Sequence, residues 1–363
     1  MSSASLRVVI ACGGTGGHLF PGIAVAQQLK AMGHRPLLLI SRKEVDAEGS
    51  RKYGDLEFRT VQAIAKPPML SLRMLGFLWK FARTLLTCRS LLRREKVDVV
   101  LGMGGFTSLA PVLAGRLQGL RTYVHESNAM PGRANRLTAR FCTAVLLGLA
   151  EAAPRFPESD CRVVGTPVRE EFLHLPDREQ ARAELGLPTD KPIVLVTGGS
   201  QGAQKLNSLM VEAAQASPQV HFHIIAGKAD CERVQALAAG SPNISVVGFC
   251  ANMPAAYAAA DGVITRSGAS TLTELSVVGK ACLLVPYPFA ADNHQFYNAN
   301  VFAEVGAAVL CEQRDLTLER VQEFLHAIVL RDSAREAMQT ALRAQARLQA
   351  AQDIARVVAD AQA

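Results

Sequence analysis

The stretch Val8-Val-Ile-Ala-Cys-Gly-Gly-Thr-Gly-Gly-His-Leu-Phe-Pro-Gly22 limits this chain to few folds. A short apolar run (Val8, Val9, Ile10) reads as a buried strand. Four glycines follow within five positions, and residues 19–30 then take up helical periodicity. Glycine lets the backbone turn sharply and come close to a ligand, and the first N–H groups of a helix lack partners within it. A strand, tight loop and helix N-terminus of this kind suits a phosphate or a sugar hydroxyl. Pro21 falls in the first turn of the predicted helix and Gly33 just past its last turn. The dinucleotide fingerprint fails, because the third glycine counted from Gly14 would be Leu19, and no P-loop string occurs. A plain strand-to-helix turn would need the same glycines. His18 favours a ligand-binding loop, since an imidazole directly after it is placed to touch what the loop holds.

At 363 residues the chain exceeds one ordinary core, so two domains are expected. The second half restarts in the same idiom: G-G-[ST]-x-G occurs at Gly13, Gly14, Thr15 and Gly17 and again at Gly198, Gly199, Ser200 and Gly202. Predicted strands at 35–41, 57–63, 97–101, 121–125 and 144–147, and then at 192–197, 221–226, 244–247, 262–265, 282–285 and 307–310, alternate with helices. That alternation gives βαβ units and parallel sheets, hence an α/β protein of two Rossmann-like domains. Pro154, Pro157 and Pro167 put the linker near 155–170, and residues 332–361 read as one long amphipathic helix.

The net charge of +7 is concentrated: eight basic residues against the single acid Glu95 lie between Lys66 and Lys96. The helix predicted there, running to about Glu95, has apolar side chains over an arc of roughly 200°, about twice a usual core stripe. Two readings stay open, a core helix with a solvated basic face and a membrane-surface helix whose patch includes Met69, Leu70, Phe77, Trp79 and Phe81. No basic groove with interleaved aromatics points to nucleic acid. No apolar run approaches the roughly 18 to 20 residues of a membrane span, and no signal peptide is evident, so a cytoplasmic protein is expected. The eight cysteines are scattered singly, which favours a reducing compartment and no metal site.

Polar residues cluster where predicted strands end. His125-Glu-Ser-Asn128 closes one strand, at the end where parallel sheets bind ligands. Thr265-Arg-Ser-Gly-Ala-Ser-Thr-Leu-Thr-Glu274 sets a cation and a serine-glycine turn before a helix N-terminus, an arrangement that suits a diphosphate. Glu274 fits two roles equally: the end of a capping box Thr271-Leu-Thr-Glu274, or an acceptor for both ribose hydroxyls of a nucleotide. Asp292-Asn-His-Gln295, after Pro286-Tyr-Pro288, is either an ordinary polar helix start or a set of partners for sugar hydroxyls.

Seven motifs follow in order: Gly-Gly-Thr-Gly-Gly-His18, Gly102-Met-Gly-Gly105, His125-Glu-Ser-Asn128, Gly165-Thr-Pro-Val-Arg169, Gly198-Gly-Ser-Gln-Gly-Ala203, Arg266-Ser-Gly-Ala269 with Glu274, and Asp292 to Gln295 with Asn298-Ala299. Together, over residues 7–330, they resemble the MurG family of N-acetylglucosaminyltransferases that make lipid II of bacterial peptidoglycan. The resemblance implies a GT-B architecture, two Rossmann-like domains facing across a cleft. The expected extents are 1–160 for the acceptor and membrane side, 161–340 for the UDP-N-acetylglucosamine donor side, and a C-terminal helix at 341–363 returning to the first domain. It implies an inverting reaction in which the C4 hydroxyl of undecaprenyl-diphospho-N-acetylmuramoyl pentapeptide (lipid I) attacks the anomeric carbon and UDP leaves. It also implies a place on the cytoplasmic face of the inner membrane, against an anionic lipid surface, with other cell-wall synthesis and division proteins as partners. No cofactor is implied, and no Asp-x-Asp metal motif is present.

Carried over by motif, Thr15, Gly16 and Gly17 belong to the loop near the donor, and Asn128 meets the transferred sugar. Arg169 and Ser200 meet the diphosphate, with Arg266 adding positive potential. Ala269, Ser270, Thr271, Leu272, Thr273 and Glu274 surround the phosphates and ribose, Gln295 meets the sugar hydroxyls, and the backbone at Cys250 meets the uracil. His18 is the expected base, because its unperturbed pKa near 6.5 suits the task, with Glu126 and His125 as further candidates. Three rivals share the donor cradle: a GT-B transferase with another lipid acceptor, a UDP-N-acetylglucosamine 2-epimerase, and a nucleotide-sugar-binding protein without catalysis.

Overall fold

A computed structural model describes residues 5–41, 53–61, 73–198 and 203–360, with only the backbone of 73–75. The chain divides into two compact units, Met1–Arg169 with Arg347–Ala363, and Glu170–Ala346. Each is an α/β unit built on one parallel sheet.

In the first unit the strands are β1 (Arg7–Ala11), β2 (Arg35–Ile40), β3 (Glu57–Thr60), β4 (Val99–Gly102), β5 (Arg121–Glu126), β6 (Ala144–Leu147) and β7 (Cys161–Val163). They lie in the order β3-β2-β1-β4-β5-β6-β7, every pair parallel. The central strands are apolar on both faces, as a sheet covered by helices on each side requires. Helix α1 (Gly16–Ala31) follows β1, α2 (Arg73–Arg94) precedes β4, α3 (Phe106–Arg116) follows β4, and α4 (Arg133–Ala139) follows β5. One core layer joins Val8, Ile10, Leu19, Ile23, Leu101 and Tyr123; the other joins Val9, Leu37, Cys88, Leu92 and Val112.

The second unit repeats this plan. Its strands are β8 (Ile193–Thr197), β9 (His221–Ile225), β10 (Ile244–Val247), β11 (Gly262–Thr265), β12 (Cys282–Leu284) and β13 (Val309–Leu310), in the order β10-β9-β8-β11-β12-β13. Its helices are α5 (Arg178–Glu184), α6 (Gln204–Gln215), α7 (Cys231–Leu237), α8 (Met253–Ala259), α9 (Ala269–Val278), α10 (His294–Glu304), α11 (Leu318–Phe324) and α12 (Asp332–Ala344). In each sheet the strand order reverses beside the first strand, between β1 and β4 and between β8 and β11. Ligands of open α/β sheets bind at the carboxyl ends of the strands at such a switch. The loops after β1 and β4, and the segment from Arg266 after β11, therefore sit where the fold favours a site.

Four expectations need correction. Helix α1 begins at Gly16, so Pro21 lies inside it rather than in its first turn, and Gly17 loses the N–H that position would have supplied. Gly33 does close the helix: its φ is +85°, and the N–H of His34 reaches back to Leu29 O. The supposed linker contains β7, which extends the first sheet beside β6, so the first unit runs to Arg169. The long C-terminal helix is two helices, α12 and α13 (Ala350–Ala359). The break has no proline or glycine and coincides with the change of unit. Arg343 packs its guanidinium over Gly279 in the second unit, whereas Ile354, Ala355 and Val358 enter the core of the first.

Finally, Phe77 is not a surface residue. It is 9% exposed and packs on Phe106 with centroids 5.5 Å apart, and Phe81 completes the aromatic cluster. Among the described side chains, the large apolar ones that α2 exposes are Leu78, Trp79 and Leu86, with the Arg83 guanidinium 5.7 Å from the Trp79 ring centre. Met69 and Leu70 lie outside the described residues.

Candidate active site

In the first unit, His18 is held by two glycine loops. Thr15 is the N-cap of α1 but makes no side-chain cap; its Oγ1 lies 3.3 Å from His18 Nδ1. A Cβ on Gly105 would come within 2.9 Å of His18 Cε1, and one on Gly104 within 3.2 Å of Nε2, so only glycines let the second loop lie against the imidazole. The φ values of Gly104 and Gly105, +108° and +72°, make the same demand. Gly16 and Gly17 open α1, and Thr107 Oγ1 donates to Gly13 O at 2.7 Å, joining the two loops. Two helix N-termini without side-chain caps, those of α1 and α3, are thus presented beside His18.

Glu126 ends β5 and is 2% exposed. Its Oε1 accepts from the N–H and Nδ2 of Asn128, at 2.9 and 2.8 Å; its Oε2 accepts from Gly132 N–H at 3.1 Å and Asn135 Nδ2 at 2.9 Å. Burial raises its pKa, and the four donors pull the other way. Burial pushes the neighbouring His125 down to about 4, so its ring is neutral. Its Nε2–H donates to Gly165 O at 2.9 Å, and Nδ1 lies 3.3 Å from Ser127 Oγ as acceptor. Arg169, half-buried, lies over the Phe20 ring of α1 with its guanidinium carbon 4.9 Å from the ring centre.

The second unit contains a cavity of about 880 Å³. Of the candidates, Cys250, Arg266, Thr271 and Glu274 line it, and Ser200 lies outside the described residues. The N-cap of α9 is Gly268, so Ala269, Ser270 and Thr271 form its first turn. Glu274 is then a turn further in, too far along for a capping box, and accepts from Tyr257 OH at 3.4 Å. Leu272 is 2% exposed in the core, and Thr273 Oγ1 donates back to Ala269 O at 2.9 Å.

Arg266 is 6% exposed and already engaged: Nη1 donates to Val285 O and Pro286 O, and Nη2 to Gln313 Oε1 at 2.6 Å. Burial lowers its pKa. It shapes the cavity wall by fixing the Pro286-Tyr287 turn. Gln295 acts on the same turn, its Oε1 accepting from Tyr287 N–H at 2.9 Å.

No motif in the sequence points to Asn135, Tyr257, Phe249, Lys228 or Gln313. Asn135 carries no motif, and the others come from loops and helices far apart in the chain that meet only in the fold. Chemically, the first unit offers an imidazole beside two helix N-termini that lack side-chain caps. The second offers a nucleotide-sized cavity with a helix N-terminus, a carboxylate and exposed aromatic rings.

Residues 8–147 match the glycosyltransferase family 28 N-terminal domain, and 193–356 the C-terminal domain of the same family. A relative from Desulforudis audaxviator is 39% identical over 326 residues, 86% of this chain and 87% of its own length. One from Synechococcus elongatus is 36% identical over 89% and 87% respectively. Both are named UDP-N-acetylglucosamine–N-acetylmuramyl-(pentapeptide) pyrophosphoryl-undecaprenol N-acetylglucosamine transferase. The crystal structure of Acinetobacter baumannii MurG superposes with a TM-score of 0.78 at 29% identity, over 97% of this chain and 99% of that one.

Proposed function

Because the chain belongs to the MurG family of glycosyltransferase family 28, we propose that it transfers N-acetylglucosamine from UDP-N-acetylglucosamine to the C4 hydroxyl of the muramoyl sugar of lipid I, giving lipid II and UDP. The observation that carries this reading is the pairing, within one chain of this family, of a nucleotide-sized cavity with a histidine held by two glycine loops.

The hydroxyl oxygen forms the new bond to the anomeric carbon as the bond from that carbon to the diphosphate breaks. UDP leaves with the electron pair from the opposite face, and the hydroxyl proton passes to a base. We assign that proton to His18. The Glu126 carboxylate already accepts four hydrogen bonds, which suits it to holding Asn128 in position. On the donor, the α9 N-terminus faces the phosphates and Glu274 the ribose hydroxyls, with Tyr257 steadying that carboxylate. The uncapped N-termini of α1 and α3 suit the diphosphate of the acceptor.

An acceptor on a polyprenyl chain must be met at a bilayer. Helix α2 carries Trp79, Arg83, Leu86 and Arg93 at helical spacing on one exposed face, and we assign it to an anionic membrane surface on the cytoplasmic side. No helix among the described residues is long and apolar enough to cross a membrane.

The test is UDP release from UDP-N-acetylglucosamine with and without a short-chain lipid I analogue. Acceptor-dependent release with a disaccharide product is expected. Release without acceptor, together with N-acetylmannosamine, would instead make the protein an epimerase, and binding without release a nucleotide-sugar-binding protein.

A further inference from the structure

The cavity of the second unit is lined by three cations, Lys205, Lys228 and Arg266. The guanidinium of Arg266 is already bonded to two carbonyls and Gln313. Lys228, in the loop after β9, is exposed, and its ammonium stands 5.6 Å from the ring centre of Phe249. Among the described residues it meets no carboxylate. The nearest acid in sequence, Asp230, is buried and accepts from Arg233 Nε at 2.6 Å and Asn207 Nδ2 at 2.8 Å. The Phe249 ring is 68% exposed, a large apolar face left open to solvent on the cavity wall.

The order of groups along the wall suggests what meets this pair. The N-terminus of α9 suits phosphates, and Glu274, a turn further in, suits the ribose hydroxyls. Glu274 is bonded to Tyr257 on α8; Met253 is one turn back on that helix; Cys250 and Phe249 precede it. A base attached to that ribose therefore arrives at Phe249. A flat ring stacks on an exposed aromatic face, and the Lys228 ammonium that stands over this ring presents donors only to whatever joins it there.

We propose that Lys228 is a specificity-determining residue that reads the nucleobase, donating to the 4-carbonyl of a uracil stacked on Phe249. Cytosine carries an amino group at that position, which would set a donor against a donor. The proposal rests on reading this cavity as the UDP-N-acetylglucosamine donor site. It adds a residue outside every motif of the sequence, and a reason for the cation to stand on that ring.

Calorimetric titration of the full chain with UDP, UMP and CDP separates the two claims. If the unaltered protein binds no UDP, the donor-site reading itself fails. If it binds UDP but no more tightly than CDP, only the Lys228 proposal fails. Given a preference for UDP, Lys228→Met keeps the apolar stem and removes the donor. It should weaken UDP and UMP alike by about tenfold, the scale of one charge-assisted hydrogen bond, and shift CDP by less than about twofold. Lys228→Arg should keep the preference. An unchanged UDP-to-CDP ratio in Lys228→Met overturns the proposal. So does a loss confined to UDP and absent for UMP, which would put the lysine on the terminal phosphate.

Discussion

Asn135 Nδ2 donates to Glu126 Oε2 at 2.9 Å, while the same side chain accepts at Oδ1 from the N–H of Gly105 at 3.1 Å. One buried amide therefore ties the carboxylate at the end of β5 to the glycine loop that lies against His18. Glu126→Gln would turn an amide NH₂ toward donors on Gly132 and Asn135 and leave buried groups unpaired. We expect kcat to fall by about 100-fold and stability by about 1–3 kcal/mol. If Glu126 acts by positioning, the acid limb of the pH–rate profile should survive in the variant. Loss of that limb would make Glu126 the base.

His18→Ala should lower kcat by about 100- to 10,000-fold, the usual range for a general base, with a much smaller change in the donor KM. Steady-state kinetics with a soluble acceptor analogue decide it. An unchanged kcat would remove His18 from the chemistry and leave it a packing role against Gly104 and Gly105.

Stability should fall on acidification. His125 and His223 are both pushed down to about 4 by burial, against about 6.5 when unfolded. Above about pH 6.5 both states are neutral and the contribution is complete. As pH falls from there toward 4, the unfolded chain takes up protons that the folded one excludes, so stability is lost across that window, by up to about 3 kcal/mol for each histidine. Glu126, raised by its burial, acts in the opposite sense. Urea midpoints measured from pH 7.5 to 4.5 should therefore fall with pH; a flat series would show that these imidazoles are hydrated.

Membrane attachment through α2 should depend on both its apolar and its basic residues. Trp79→Ser should weaken binding to vesicles containing anionic lipid, and salt should weaken it further, since each basic residue near such a surface contributes about 1 kcal/mol. Phe77→Ser should instead lower stability, because that ring is packed on Phe106. Sedimentation that is indifferent to lipid charge and to salt would exclude the helix as the contact.

The strands were legible because parallel strands buried on both faces read as continuous apolar runs, as in Val8-Val-Ile and Val99-Val-Leu. Strand β7 was not, because Cys161-Arg-Val163 is a half-exposed edge with no such run. Motif spacing singles out His18, Glu126 and Glu274 as candidates, yet cannot separate a carboxylate that holds a loop from one that takes a proton. That distinction lies in the donors around it, and Asn135 and Gly132 reach Glu126 only through the turn after β5. Phe77 and Trp79 look alike on a helical projection; the Phe106 ring on α3 is what sends one inward.

Helix α13 fills the core of the first unit with Ile354, Ala355 and Val358, although the whole second unit lies between it and β7 in the chain. On the ribosome, the first unit thus cannot close its core until residues 354–358 have emerged, whereas the second has all of its strands and helices earlier. Until then α1 lacks the helix that covers its apolar face, so the two units complete their cores in the reverse of the order in which they are begun.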